Sequence, residues 1–345
     1  MKIAFYDTKP YDRLWFDKLA EEYGYTIKYF EHKLNPDTAV LSAGFDVVCS
    51  FVNDIINQQV IDTLYQNKVK LIALRSAGFN HVDFKAAYEK VHVVRVPSYS
   101  PSSVAEHAAA LLLSVNRKTH RAYVRTRDNN FSINGLMGID LRDKVAGIIG
   151  TGKIGRIFID ILKGFGMRVL ANDAYPDPNL DVEYVSLDQL FSLSHVVSLH
   201  CPLTEDTYHL INRERVAQMK EGTILINTSR GALVDTEALL EGLKSGKIGA
   251  AGLDVYEEEN EYFFEDKSNE ILQNDELARL LSLPNVLVTS HQAFFTREAV
   301  QAIAITTMEN IYAFEKDQEL VNEVCYQCDK VCPKEGGVKR CFEIK

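Results

Sequence analysis

Short β-branched runs separated by stretches of helical period fill the first hundred residues. The runs are KIAFY (2–6), TIKYF (26–30), DVVCS (46–50), KLIAL (70–74) and VHVVRV (91–96). Between the first two, Trp15, Leu19 and Tyr23 recur at i, i+4 and i+8, the stripe of an amphipathic helix. Strands that alternate with helices imply a parallel sheet covered on both faces. Ser100-Pro101-Ser102-Ser103 interrupts the series, and Ser103 with Glu106 reads as an S-x-x-E capping box. The helix that follows, VAEHAAALLLSVNRK, is apolar on most faces as far as Asn116. Such a helix is buried, here as a connector between two domains.

A second alternating series starts near Lys144. Its strands are expected at VAGIIG (145–150), RVLAN (168–172), HVVSLH (195–200), TILIN (223–227), GAAGL (249–253) and VLVTS (286–290), with helices over 153–165 and 235–245. Six strands with intervening helices fit a doubly wound dinucleotide-binding fold. A long helical pattern over 297–316, with Ala299, Ile303 and Thr306 on one face, is expected to return to the first domain and make it discontinuous.

Composition narrows the class. The chain has 345 residues, 46% apolar and 25% charged, enough for two cores without covalent staples. Its net charge is −10 and no basic block occurs, which argues against nucleic-acid binding by phosphate neutralisation. The longest apolar run, Ala108 to Leu113, is too short to span a bilayer, so no membrane partner is expected. The opening apolar run gives way at once to Asp7, unlike a signal peptide. A cytoplasmic protein with mostly reduced thiols is therefore expected.

The clearest chemical signal is Gly150-Thr151-Gly152-Lys153-Ile154-Gly155, which follows an apolar strand and opens a helix. Gly150 allows a tight turn, Gly152 lets backbone approach a pyrophosphate, and Gly155 permits close helix–strand packing. The helix N-terminus adds the positive end of its dipole. Eighteen residues after Gly155, Asp173 stands where an acid would bond a ribose 2′-OH and repel a 2′-phosphate. Ala174-Tyr175-Pro176 offers no cation to hold such a phosphate, so NAD is expected over NADP.

Three more segments fall just beyond predicted strands: Asn227-Thr228-Ser229-Arg230-Gly231, Leu253-Asp254-Val255-Tyr256-Glu257-Glu258-Glu259 and Ser290-His291-Gln292. Ligands of open α/β sheets bind at that carboxyl edge. Singly, each charge is an ordinary surface group. Together they suit hydride chemistry on a 2-oxo acid. A guanidinium holds a carboxylate by paired hydrogen bonds, an imidazolium gives a proton to the carbonyl oxygen, and a carboxylate keeps the imidazole charged and oriented. His107, in the connector helix, reads as a satisfied core residue, and the other histidines show no metal-ligand spacing.

RSAGFNHVD (75–83), VPSYSPSSVAEHA (96–108), GTGKIG (150–155), NTSRGALVD (227–235), LDVYEEE (253–259) and SHQAFFT (290–296) together resemble the D-isomer-specific 2-hydroxyacid dehydrogenases, most closely those acting on D-lactate. The likeness runs from about residue 1 to about residue 324. It implies a flavodoxin-like substrate domain over 1–100 and 297–324 and a Rossmann NAD-binding domain over 101–296, joined by two connector helices; a Cys-rich tail over 325–345 lies beyond it. It implies that Arg230 binds the substrate carboxylate, that His291 donates the proton, and that Glu259, five residues after Asp254, is its partner. Asp254 would be a secondary acid near the nicotinamide. Lys153, Ile154, Asp173, Cys201, Pro202, Thr207, Thr228, Ser229 and Asp254 would line the cofactor, with Cys201 as a small apolar wall. Ala77 and Gly78 would offer backbone N–H groups to the substrate carboxylate.

Phe51, Tyr99 and Phe295 are the family-like positions for the substrate's side group. Three large rings leave room for little beyond a methyl group, which favours the pyruvate/D-lactate pair over branched 2-oxo acids. Other readings are a D-2-hydroxyisocaproate-type enzyme or an NADH-sensing peptide-binding corepressor. The resemblance also implies a homo-oligomer, dimer or tetramer. No metal is needed for the hydride step. After Asn322 the chain departs from the family pattern: Cys325, Cys328, Cys332 and Cys341 partly overlap an iron–sulfur spacing, could hold zinc, or form a flexible reduced tail.

Overall fold

The computed structural model describes residues 1–259, 262–327 and 340–344. They form two compact units, Met1–Ser100 with Thr296–Lys345, and Pro101–Phe295. The first 100 residues hold β1 (Lys2–Phe5), α1 (Pro10–Tyr23), β2 (Thr26–Tyr29), β3 (Val47–Ser50), α2 (Gln58–Gln66), β4 (Leu71–Leu74), α3 (Phe84–Ala87) and β5 (His92–Val94). Next come α4 (Pro101–Arg117), α5 (Thr119–Arg127), β6 (Val145–Ile149), α6 (Lys153–Gly164), β7 (Arg168–Asn172), β8 (Glu183–Tyr184), α7 (Leu187–Leu193) and β9 (Val196–Leu199). The chain continues through α8 (Arg213–Gln218), β10 (Thr223–Asn227), α9 (Thr236–Ser245), β11 (Ile248–Leu253), α10 (Asp275–Ser282), β12 (Val286–Val288) and α11 (Arg297–Glu315).

In the first unit the strands lie in the order β2-β1-β3-β4-β5, all parallel. Parallel strands buried on both faces read as unbroken apolar runs, and β3 and β4 do so. One face packs Phe5, Val47, Cys49 and Leu71 against Phe16 of α1 and Ala304, Met308 and Ile311 of α11. The other packs Val48, Ile72 and Leu74 against Val60, Ile61 and Leu64 of α2. The buried stripe of α11 runs through Ala299, Ile303 and Thr307, with Thr306 only half-buried, one position off the expected face. Thr296 caps α11 by accepting from the Ala299 N–H, which ties it to this unit. Beyond α11 the chain adds to the sheet edge: Val324 N–H donates to Val93 and Arg95 N–H to Asn322. Residues 340–344 dock there too, with Phe342 stacked on the buried His92 ring at 4.5 Å and Arg340 paired to Asp317.

The second unit has seven parallel strands in the order β12-β11-β10-β9-β6-β7-β8. α4 lies in this unit's core, packing with α6 against β10 and β11. It begins at Pro101, where a missing N–H costs nothing. Ser103 and Glu106 therefore lie inside the helix, and the expected capping box does not form. Six strands match the expected runs; the two-residue β8 is an addition. Among the described residues no helix is long and apolar enough to cross a membrane.

Candidate active site

The glycine-rich turn joins β6 to α6. Gly150 has φ +97° and donates its N–H to Asn172 at the end of β7. A side chain there would meet the His200 carbonyl at 2.5 Å, and one at Gly155 would meet the Gly150 carbonyl at 2.1 Å. Gly152 faces open space, with nothing within 4 Å of an added Cβ. It caps α6 without any side-chain acceptor, so the first-turn N–H groups keep their capacity for an anion. Lys153 is exposed and Ile154 half-buried.

Asp173, directly after β7, accepts from the Thr151 N–H at 2.6 Å and the Thr151 hydroxyl at 3.0 Å through one oxygen, and from the Tyr175 N–H at 2.8 Å through the other. Burial opposes its ionisation, but these bonds and the Arg156 charge outweigh burial and hold its carboxyl below the usual range. An ionised acid thus stands beside the turn, as a ribose hydroxyl requires. The residues fit a dinucleotide.

Cys201 follows β9. Burial pushes its thiol up to about 11, with Asp173 adding to the rise, so it is an uncharged wall and no reactive thiolate. Pro202 and Thr207 shape the next loop, where the Thr207 hydroxyl donates to the Pro202 carbonyl at 2.7 Å. After β10, Thr228 is buried and the Ser229 hydroxyl bonds the Leu199 carbonyl at 3.0 Å.

Arg230, Asp254 with Glu259, and His291 follow β10, β11 and β12, which are neighbours in the sheet. Asn227 braces the Arg230 loop, its amide donating to the Arg230 carbonyl and its oxygen accepting from Ser229 N–H. Gly231 lies against the turn after β11, since a side chain there would meet the Tyr256 carbonyl carbon and oxygen at 2.1 Å. The Arg230 guanidinium is half-buried and donates to the Ser229 carbonyl.

The three glutamates have three different partners. Glu259 accepts from the Tyr256 N–H at 2.9 Å with one oxygen and meets His291 Nδ1 at 2.7 Å with the other. Glu257 meets His209 at 2.7 Å, and Glu258 takes the Asn274 amide at 2.5 Å. With Nδ1 engaged by a carboxylate, His291 presents Nε2 for proton transfer.

Buried Asp254 holds the backbone around His291. Its carbonyl accepts from the His291 N–H at 2.8 Å, and its carboxylate accepts from Gln292 N–H at 2.9 Å and Ala293 N–H at 2.8 Å. The Thr289 hydroxyl donates to the same carboxylate at 2.5 Å, and His107 reaches both groups. Sequence reasoning missed Thr289 and His107. No local motif marks either, because the contact joins residues 182 positions apart.

The other expected positions divide between the units. Phe51, Ala77, Gly78 and Tyr99 belong to the first and Phe295 to the second. Phe51 is buried, with the Arg75 guanidinium 4.7 Å above its ring. Ala77 and Gly78 follow β4, their carbonyls held by Arg95 and the Ser76 hydroxyl. Tyr99 is half-buried, while Phe295 is half exposed and edge-on to Phe294. Of the tail cysteines, Cys328 and Cys332 lie outside the described residues. Cys325 is buried, and burial with the nearby Glu323 and Cys325 pushes the Cys341 thiol far up. Among the described residues no three His, Cys, Asp or Glu side chains are grouped to hold a metal.

Comparison with known proteins identifies the family. Residues 109–293 match the family model for the D-isomer specific 2-hydroxyacid dehydrogenase NAD binding domain. The chain is 51% identical over 328 residues to the Escherichia coli D-lactate dehydrogenase, covering 94% of this chain and 100% of that one. The solved apo-structure of the E. coli enzyme superposes with TM-score 0.86 at 48% identity, covering 94% of this chain and all of that one. A Chlamydomonas reinhardtii pyruvate reductase superposes with TM-score 0.89 at 45% identity, covering 93% and 98%. With this family match and half of its residues shared over nearly the whole of both chains, the chain belongs to the D-isomer specific 2-hydroxyacid dehydrogenases.

Proposed function

We propose that the chain is an NAD-dependent D-lactate dehydrogenase that interconverts pyruvate and D-lactate. When bound, NADH supplies the hydride. Arg230 binds the substrate carboxylate, and protonated His291 gives the carbonyl oxygen its proton. Glu259 stabilises the imidazolium and fixes the ring. In the reverse direction neutral His291 accepts the hydroxyl proton. Ala77 and Gly78 supply backbone donors to the substrate. Phe51, Tyr99 and Phe295 restrict its side group, although an added methylene shifts such discrimination by only about 1–3 kcal/mol. The His291–Glu259 contact of 2.7 Å carries the reading. The half-identity to an enzyme named D-lactate dehydrogenase supports the choice of substrate.

The test is steady-state NADH oxidation over a panel of 2-oxo acids. Pyruvate giving the highest kcat/KM supports the reading. Preference for 2-oxoisocaproate would reassign the substrate, and no turnover with any 2-oxo acid would refute the enzyme.

Self-association through the second unit is part of this proposal. α5 buries none of its residues, and Phe131, Ile133 and Met137 after it are 74–87% exposed. Apolar side chains gathered in one segment mark an association surface. Light scattering should give a dimer or tetramer, and polar replacement of Phe131 and Ile133 should lower the mass. A cytoplasmic, fermentative role in reoxidising NADH suits the activity.

A further inference from the structure

Two stretches of the second unit, α4 and residues 289–293, meet at one buried carboxylate. Asp254 Oδ1 accepts from the Thr289 hydroxyl at 2.5 Å and from Gln292 N–H at 2.9 Å, while His107 Nε2 lies 3.3 Å away. His107 Nε2 is also 3.0 Å from Thr289 Oγ1. Proton counting fixes the direction of these bonds. The threonine hydroxyl has one proton, and at 2.5 Å from a carboxylate it points there. Its contact with His107 then requires the imidazole to donate, so Nε2 carries a hydrogen.

That donation bears on His291. His291 has φ +52°, a region where a side chain is strained unless its surroundings hold it. The holding groups are the Asp254 carbonyl on His291 N–H and the Asp254 carboxylate on the two following N–H groups. Asp254 itself is fully buried, so it needs every donor it has. α4 adds His107, whose Nε2–H is donated to Thr289 and lies 3.3 Å from the carboxylate. A ring serving only as packing would have no use for this bond.

We propose that His107 is a positioning residue: by donating Nε2–H to Thr289 beside Asp254 it fixes the carboxylate that anchors the strained turn presenting His291. The proposal rests on the reading of His291 as proton donor. His107 touches no reacting atom. It acts through Asp254.

The test compares His107→Phe, which keeps a ring and removes the donor, with His107→Gln, whose amide nitrogen can donate from a similar position. In the purified full-length enzyme, His107→Phe should lower kcat for pyruvate reduction about 10-fold or more, within the range a misplaced general acid loses. The KM for pyruvate and the NADH dissociation constant should move by less than about 3-fold, well short of the tenfold that 1.4 kcal/mol represents. His107→Gln should recover most of the loss. In 15N-histidine spectra the wild type should show His107 as the Nε2–H form, and the His291 signals should shift in His107→Phe but little in His107→Gln. Equal kcat in wild type and His107→Phe, equal losses in both variants, or a parallel collapse of NADH affinity would each overturn the proposal. A wild type that reduces no 2-oxo acid would refute the reading of His291 instead. The spectra then still decide: a His107 without Nε2–H, or His291 signals indifferent to His107→Phe, would overturn this inference.

Discussion

Acid should weaken the second unit through His200. This residue follows β9, behind the glycine-rich turn, and its carbonyl sits where a side chain on Gly150 would fall. Its ring packs on Phe158 at 5.1 Å, with Nε2 on the Ser198 hydroxyl at 2.9 Å and Nδ1 buried without a partner among the described residues. Burial pulls the imidazole down from 6.5 to about 4. The folded state thus keeps it neutral, while the unfolded chain takes up a proton below about 6.5. Between those limits the unfolded state binds more protons, so stability is present above pH 6.5 and is lost as pH falls toward 4. A shift of that size corresponds to about 3 kcal/mol at the low end, a large part of typical domain stability.

The assay is urea unfolding at several pH values for wild type and His200→Gln. The variant starts less stable, having lost ring packing, but the gap should narrow by about 3 kcal/mol between pH 6.5 and 4. Parallel curves across that window would show that His200 protonates as readily in the folded state, and the reasoning from burial would fail.

Other consequences follow from the same unit. Gly155→Ala places a Cβ 2.1 Å from the Gly150 carbonyl. Overpacking of about 1–3 kcal/mol should then weaken NADH binding roughly 5- to 150-fold by fluorescence titration, and unchanged affinity would show that the turn tolerates the methyl. Asp173→Ser removes a charged acceptor and should weaken NAD binding about 10- to 100-fold while narrowing the preference over NADP. Cofactor competition measures this, and equal NAD affinity would remove Asp173 from the ribose site.

Much of this was legible along the chain because parallel strands buried on both faces leave unbroken apolar runs. β3, β4, β9 and β10 are wholly buried and were readable for that reason. β8 has two residues, one exposed and one half-buried, and carries no such signal. The face of α11 was misread by one position because Thr306 and Thr307 are chemically alike and only packing distinguishes them. Spacing alone could not choose among Glu257, Glu258 and Glu259. The turn after β11 does, sending the first to His209, the second to Asn274 and the third to His291. His107 looked like a core histidine because its partners arrive from far along the chain.

The most direct measurement is of His291→Gln in the full-length protein, with NADH binding and pyruvate reduction followed side by side. If His291 delivers the proton, kcat should fall by about 10²- to 10⁴-fold, the usual contribution of a general acid, while NADH affinity stays near that of the wild type. Turnover retained at the wild-type level, or lost only in step with NADH affinity, would contradict the account.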